Sequence, residues 1–317
     1  MPACPTRSAP TRWSPPGGCH PERWSWWPTT RRSRRCWRRS VADASSAVRV
    51  ALLYPELLGT YGDRGNARVL LQRLAWRGVA AELVEAPWGE PAPAACDIYV
   101  LGGGEDSPQA SAAAALIAEG VVNRAVDDGA AVLGVCAGFQ ILGHSFFGPG
   151  GAARPGLGLL DCTTARRASP RIVGEILVEP NPEVGLPALS GYENHAGLTD
   201  LGPRAVPLGR VDVGVGNGDG TEGALEGRVV GTYLHGPVLA RNPALADLIL
   251  SWFAGELEPL DDGEVTDLRE ERRQFVAAEV ARRPSRKRLG EPPFGWRRYR
   301  RRRMASTDRP RAANFSV

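Results

Sequence analysis

The chain has 317 residues, of which 43% are apolar and 23% are charged, so it is long and apolar enough to bury the core of one large domain. No stretch approaches the roughly 18 apolar residues that a membrane-spanning helix needs, so we expect that the chain is not an integral membrane protein. Basic residues outnumber acidic ones by nine to two in residues 1–47 and by eleven to two in residues 285–317, whereas residues 48–284 hold 19 basic and 31 acidic residues. The acidic centre argues against nucleic acid as the main partner.

The two basic ends show no helical or strand periodicity. We interpret residues 1–47, rich in Trp, Arg, Pro and Ser, either as a disordered arm or as the product of a gene start assigned too far upstream. Residues 285–317 are predicted to be a disordered basic tail, which leaves residues 48–284 as one domain. The six cysteines are too sparse for a disulfide-rich secreted protein, and no apolar signal segment opens the chain. We expect reduced thiols and a cytoplasmic location; a position at the inner face of the membrane is compatible with this expectation.

From Val48 onward, apolar strands alternate with helical stretches. We predict strands at residues 48–54, 79–84, 97–101 and 130–135, and helices at about 66–77, 108–128 and 136–147, the second of them broken near Gly120. Strands that alternate with helices across short loops indicate an α/β fold, in which helices cover both faces of a mostly parallel central sheet.

The second half of the domain is richer in strands. We predict strands at residues 172–178, 211–215 and 229–234, separated by turns of Gly, Asn and Asp. A helix at about 243–253 is expected to close the core. A charged helix at 265–283 is expected to pack on the outside of the domain or on a partner.

The segment Gly134-Val-Cys136-Ala-Gly138, between an apolar strand and a helix, is a thiol version of the nucleophile elbow. Small residues two before and two after the cysteine are needed because the turn is tight. Cys136 is therefore the predicted nucleophile, held as a thiolate by the start of the following helix, with the backbone N–H of Ala137 as an oxyanion donor. The alternative is a buried cysteine that packs as a small apolar residue.

Three consecutive glycines, Gly102-Gly103-Gly104, end the preceding strand. They allow close approach of the backbone to a ligand, and either Gly103 or Gly104 could donate the second oxyanion hydrogen bond, although a simple flexible turn is the alternative. They are not a phosphate-binding loop, and Lys287 is the only lysine of the chain. We therefore expect no nucleotide activation on this polypeptide. Scattered cysteines and histidines likewise predict no metal site.

A cysteine nucleophile needs a base, and histidine is the usual one. His235 ranks first, because it ends an apolar strand where open α/β sheets place their sites. His195 ranks second and His144 third, while each of the three could instead be a structural histidine satisfied by hydrogen bonds to the backbone.

Together, the Cys136 elbow, the triple glycine and Thr232-Tyr-Leu-His-Gly-Pro237 resemble class I glutamine amidotransferases of the cobyric-acid-synthase-like subgroup, which have a flavodoxin-like fold. Within that subgroup the chain is most similar to the GatD family, the glutaminase subunits of lipid II isoglutaminyl synthase. Three further segments carry this similarity: Tyr61-Gly-Asp-Arg-Gly-Asn66, Leu101-Gly-Gly-Gly-Glu-Asp106 and Gly191-Tyr-Glu-Asn-His-Ala-Gly197.

The resemblance implies that Cys136 attacks the side-chain amide of L-glutamine, that His235 activates the thiol, and that Arg171 binds glutamine. It also implies a MurT-like ligase partner, which would carry ATP and Mg and amidate the D-glutamate of lipid II, with no cofactor on this chain. The chain departs from most class I enzymes at Pro237, where those enzymes have a carboxylate that orients the histidine; cobyric-acid-synthase-like domains share this departure. Our hypothesis is that the partner supplies this carboxylate.

Three other functions remain open from the sequence. A cobyrinate-type amidotransferase subunit has the same motifs, but residues 1–47 are too short for the ATP-binding domain such proteins usually carry. A hydrolase of γ-glutamyl or peptide bonds could use the same elbow. A non-catalytic regulatory subunit of the same fold is the third alternative.

Overall fold

The computed structural model describes residues 47–60, 62–168 and 170–282. Its strands are β1 (Val48–Leu53), β2 (Ala81–Ala86), β3 (Ile98–Leu101), β4 (Ala131–Val135), β5 (Ser145–Phe147), β6 (Ala153–Pro155), β7 (Cys162–Arg166), β8 (Ile172–Pro180), β9 (Leu189–His195), β10 (Gly197–Leu201), β11 (Gly209–Val213), β12 (Thr221–Glu222), β13 (Ala224–Glu226) and β14 (Val229–Thr232). Its helices are α1 (Arg64–Trp76), α2 (Asp106–Glu119), α3 (Val121–Asp127), α4 (Ala137–Leu142), α5 (Val238–Arg241), α6 (Pro243–Ala254) and α7 (Gly263–Arg282). The predictions for the N-terminal arm, residues 1–47, and for the basic tail, residues 285–317, lie outside the described ranges except for Ala47.

The central sheet has the strand order β13-β14-β4-β3-β1-β2, and only β13 runs antiparallel to its neighbour. Every residue of β3, β4 and β14 is buried, as expected for parallel strands covered on both faces. The predicted α/β class with a mostly parallel sheet is confirmed. The break expected in the second helix is also confirmed, because Gly120 adopts a left-handed conformation between α2 and α3.

Two smaller sheets lie beside the central one, with the orders β10-β7-β5-β6 and β12-β11-β8-β9. Strand β9 pairs antiparallel with β8 along all seven of its residues, from Leu189 to His195. An isolated antiparallel bridge between Tyr192 of β9 and His235 links this strand to the segment that follows β14. The sequence predicted β8 and β11 but not β9.

The helix after Cys136 is shorter than predicted. It ends at Leu142, not at about Phe147, because Gly143 is extended and the chain then enters β5, where Phe146 and Phe147 bury their rings. His144 consequently lies in the connection between α4 and β5.

Buried ion pairs join α1 to α6 and to the start of α7. Arg73, 2% exposed, donates two hydrogen bonds of 2.7 Å to Asp247 and bonds of 2.7 and 2.8 Å to Asp262. Helix α7 packs on the outside of the domain, where Arg273 donates to Glu179 of β8 at 2.7 Å. Within the described ranges, every helix is too short or too polar to cross a membrane.

Candidate active site

The turn between β4 and α4 has the strained backbone of a nucleophile elbow. Cys136 has φ 52° and ψ −102°, a conformation that residues with side chains rarely adopt. A Cβ on Gly134 would lie 2.6 Å from Leu142 Cδ1 and 2.8 Å from the carbonyl group of Gly138. A Cβ on Gly138 would meet the backbone of Leu101. Both flanking glycines are therefore needed for the turn to form.

The sulfur of Cys136 is nearly enclosed by protein, with the residue 4% exposed. Its Sγ lies 3.8 Å from the carbonyl oxygen of Asn194 on β9. Burial raises the pKa of the Cys136 thiol to about 12, although the Arg171 guanidinium and the N–H of Ala137 act to lower it. In this structure desolvation thus favours the protonated thiol and opposes the expected thiolate, which stays a prediction.

The order of the strands brings the segment that carries His235 to the same edge of the central sheet as Cys136. Strand β14 lies parallel to β4, and the N–H of Cys136 donates to the carbonyl of Thr232 at 2.8 Å, three residues before His235. On its other side, the N–H of His235 donates to the carbonyl of Tyr192 at 2.8 Å. The thiol and the imidazole thus lie at the same carboxyl edge of the central sheet, against β9.

The imidazole of His235 is 2% exposed, and burial lowers its pKa to about 4, with His195 and Arg171 adding to the effect. At neutral pH the ring is uncharged and can accept a proton. Because the thiol pKa is raised and the imidazole pKa is lowered, moving the proton from sulfur to the ring is uphill in this state.

Arg171 lies at the same edge, just before β8. Its Nε donates to Oδ1 of Asn194, and its Nη2 donates to the backbone oxygen of Asn194 at 3.1 Å. That backbone oxygen is the one that lies next to the sulfur of Cys136. The guanidinium is exposed and adjacent to the nucleophile, so it can attract an anionic group of a substrate.

The glycine loop, residues 102–104, packs against the carboxylate of Asp63, which the sequence analysis included in a similarity segment but gave no role. The N–H of Gly103 donates to Oδ2 of Asp63 at 2.7 Å, so in this structure Gly103 is not free to serve as an oxyanion donor. The oxyanion roles of Gly104 and Ala137 stay predictions. No sequence pattern pointed to the Asp63 contact, because the two residues are 40 positions apart.

The two lower-ranked histidines, His195 and His144, make contacts with other residues. The ring of His195 stacks on Tyr233 with centroids 3.8 Å apart, and its Nδ1 lies 2.9 Å from the carbonyl oxygen of Gly197. His144 is a surface residue whose Nε2 lies 3.1 Å from Asp161. These contacts favour structural roles for both.

A second buried carboxylate organises the turn that leads to His235. Glu222 is 0% exposed, and its Oε1 accepts hydrogen bonds from the N–H of Tyr233 at 2.7 Å and from Oγ1 of Thr232 at 2.9 Å. Burial raises its pKa to about 7 against the effect of these hydrogen bonds. Within the described ranges, no group of three His, Cys, Asp or Glu side chains is placed to hold a metal ion.

Comparison with known proteins identifies relatives of this fold and site. Residues 49–243 match the family model of the CobB/CobQ-like glutamine amidotransferase domain. The subunit GatD of lipid II isoglutaminyl synthase (glutamine-hydrolyzing) from Staphylococcus aureus is 36% identical over 199 residues, which are 61% of this chain and 79% of that protein. The subunit of the same name from Streptococcus pneumoniae is 35% identical over 207 residues, 63% of this chain and 77% of that one.

Similarity also extends to larger proteins and to solved structures. Cobyric acid synthase from Rhizorhabdus wittichii is 38% identical over 170 residues, 49% of this chain but 32% of that protein. A crystal structure of a glutamine amidotransferase is 23% identical, covers 64% of this chain and 97% of its own, and has a TM-score of 0.44. The resemblance and the enzyme class inferred from the motifs are confirmed. The chain belongs to the family of CobB/CobQ-like glutamine amidotransferase domains.

Proposed function

We propose that this chain is the glutaminase subunit of a lipid II isoglutaminyl synthase, which supplies ammonia to a MurT-like ligase that amidates the D-glutamate of the peptidoglycan stem peptide. The observation that carries the proposal is the similarity to two GatD subunits, each matched over more than three quarters of its length. The elbow supports it, because Cys136 and His235 lie at the same edge of the central sheet, and a thiol with an imidazole is the pair that nucleophilic hydrolysis of an amide requires.

The reaction begins when Sγ of Cys136 attacks the side-chain amide carbon of L-glutamine while His235 takes the thiol proton. The N–H groups of Ala137 and Gly104 stabilise the oxyanion, and Arg171 binds the substrate. His235 returns the proton to the leaving nitrogen, and ammonia departs from a γ-glutamyl thioester. Water then attacks the thioester, with His235 accepting its proton, and glutamate and the thiol are released.

We infer that the ligase subunit completes the site with a carboxylate. Burial and neighbouring positive charge hold the pKa of His235 at about 4, and Pro237 stands where a carboxylate would orient the ring. A carboxylate brought next to the imidazole would raise that pKa and favour transfer of the thiol proton. The chain alone should therefore be a poor glutaminase. Equal glutaminase rates with and without the partner would contradict this step.

ATP and Mg belong on the partner in this proposal, because the chain has neither a phosphate-binding loop nor a lysine before Lys287. Lipid II reaches the complex through the ligase. We place the complex in the cytoplasm, at the inner face of the membrane.

The decisive test is purification of the chain with a MurT-like ligase, followed by an assay for amidation of lipid II that depends on ATP and glutamine. In the complex, Cys136→Ala should abolish amidation driven by glutamine and leave amidation driven by free ammonium salt, since only the ammonia source is lost. Loss of both activities to the same extent would argue against the proposed role of Cys136.

A cobyrinate-type amidotransferase subunit is the second candidate, favoured by the 38% identity to a cobyric acid synthase. That match covers 32% of the relative, whereas the GatD matches cover 79% and 77% of theirs. Offering the purified complex a cobyrinate acceptor and lipid II in parallel separates the two functions.

A further inference from the structure

The start of α1 connects the glycine loop to the segment that follows His235. Oδ2 of Asp63 accepts the N–H of Gly103 at 2.7 Å, and its Oδ1 accepts the side-chain amide of Asn66 at 3.2 Å. The side-chain oxygen of Asn66 in turn accepts the N–H of Leu239 at 3.0 Å. Asp63 and Asn66 are both 0% exposed, so this chain of hydrogen bonds is shielded from water.

The same contacts fix the peptide groups of the glycine loop. The carbonyl of Gly102 accepts the N–H of Gly138 at 3.1 Å, and because a trans peptide unit is planar, the N–H of Gly103 points the opposite way, to the carboxylate of Asp63. The carbonyl of Gly103 accepts the N–H of Thr60 at 3.3 Å. By the same geometry, the N–H of Gly104 points away from the residue 60 loop.

Asp63 packs tightly against the glycine loop. A Cβ on Gly102 would lie 2.6 Å from Cβ of Asp63 and 2.9 Å from its Oδ2. The carboxylate is thus in direct contact with the loop, with no room for a bridging water.

We propose that Asp63 is a positioning residue for the glutaminase reaction: by holding the N–H of Gly103, it sets the glycine loop so that the N–H of Gly104 joins that of Ala137 in stabilising the oxyanion. This inference rests on the proposed hydrolysis of glutamine. The first turn of α1 then has two tasks, since Asn66 fixes the segment after His235 by the hydrogen bond to Leu239.

An aspartate is needed at position 63 because both of its oxygens accept a hydrogen bond. An asparagine could accept from Gly103, but its amide group would then face the amide group of Asn66. The burial of the carboxylate raises the pKa of Asp63 to about 6. Burying a carboxylate costs free energy, and here the two hydrogen bonds from Gly103 and Asn66 offset that cost.

The test compares Asp63→Asn, Asn66→Asp and the double exchange in the full chain with its ligase partner. Each single variant should lower kcat for glutamine hydrolysis about 10- to 100-fold, with KM changed less than about threefold, because a misplaced oxyanion donor affects the transition state. In the double exchange the amide at position 63 accepts from Gly103 and donates to the carboxylate at position 66, which accepts from Leu239. The pattern of donors and acceptors is thereby restored, and at least about tenfold of the lost kcat should be recovered.

The rate at which iodoacetamide alkylates Cys136 separates a positioning role from a general structural defect, because a structural defect would change this rate as well. This reaction forms no oxyanion, so Asp63→Asn should leave its rate unchanged or raise it, since the Asp63 charge raises the pKa of the thiol. Asp97→Asn is the matched control. Asp97 also accepts a hydrogen bond from a backbone N–H, that of Arg49 at 2.8 Å, but it lies at the opposite end of the sheet. The Asp97→Asn variant should have the kcat of the wild type.

Two results would overturn the inference: wild-type kcat in Asp63→Asn, or a parallel fall of kcat and alkylation rate that the double exchange does not reverse. Cys136→Ala is assayed in the same series. Glutamine hydrolysis that persists in Cys136→Ala would overturn the proposed function, whereas full activity of Asp63→Asn beside an inactive Cys136→Ala overturns the Asp63 inference alone.

Discussion

The backbone N–H of Cys136 donates to the carbonyl oxygen of Thr232 at 2.8 Å, which ties the nucleophile elbow to the strand that leads to His235. The two reacting side chains are 99 positions apart in the chain, yet their separation in space depends on one pair of adjacent parallel strands, β4 and β14. Small changes in that pairing should therefore affect catalysis before they affect the fold.

Substitution of Gly134 tests the elbow. Gly134→Ala places a methyl group against Leu142 and Gly138, so we expect a loss of about 1–3 kcal/mol in the free energy of unfolding and a loss of glutaminase activity. Gly174→Ala on β8 is the matched control, because a Cβ at that position has no neighbour within 4 Å. Urea denaturation and glutaminase assays of both variants give the comparison, and equal effects would argue against a strained elbow.

Substitution of the histidines separates the base from the structural residue. His235→Gln should reduce kcat/KM for glutamine by about 10²- to 10⁴-fold, because the proton acceptor is removed. His195→Gln loses the stacking on Tyr233 and should mainly cost stability, about 1 kcal/mol, while most activity remains. Thermal melts and kinetics on the two variants decide the assignment; the reverse pattern would make His195 the base.

Arg171 is expected to bind substrate and to assist the thiol. Arg171→Ala should raise KM for glutamine about tenfold and slow the alkylation of Cys136 at fixed pH, since a positive charge beside the sulfur is lost. Arg204→Ala is the control, because Arg204 is an exposed arginine paired with Asp161 and Glu226. An unchanged KM in Arg171→Ala would show that glutamine is bound elsewhere.

Glu222 makes stability depend on pH. Its pKa is about 7 in the folded chain and close to 4.5 when unfolded, so the unfolded state loses its proton first as the pH rises. Stability should therefore fall between about pH 4.5 and pH 7, by roughly 3 kcal/mol for this group. Glu222→Gln cannot ionise and should flatten this fall. The difference between the urea midpoints at pH 5 and pH 8 measures this loss of stability. The same difference in Glu222→Gln and in the wild type would exclude the effect.

The sequence was sufficient for the strands and helices whose patterns are local. The strands of the parallel sheet are mostly apolar, although β1 and β2 carry charged residues, and the structure places the predicted ones within two residues of their expected starts. Strand β9, Leu-Ser-Gly-Tyr-Glu-Asn-His, lacks both β-branched residues and a clear alternation, so no strand was predicted there. It is a strand because β8 pairs with every one of its residues.

The chemistry of the site was only partly predictable. Flanking glycines identified Cys136, since the steric demand of the turn is local, and the position after a strand identified His235. The protonation state of the thiol could not be predicted, because it depends on burial by β9 and on charges such as Arg171. The contact between Asp63 and Gly103 likewise arises from tertiary packing across 40 residues and has no sequence pattern.

The ion pairs of Arg73 set a condition on the order in which the chain can fold during synthesis. Arg73 emerges from the ribosome 189 residues ahead of Asp262, the second of its two carboxylate partners. A guanidinium buried without its partners costs several kcal/mol, so α1 should not settle into its final place before Asp262 has been synthesised. Docking of α1 must therefore wait until α7 begins to emerge, and nascent chains halted before that point should remain sensitive to protease.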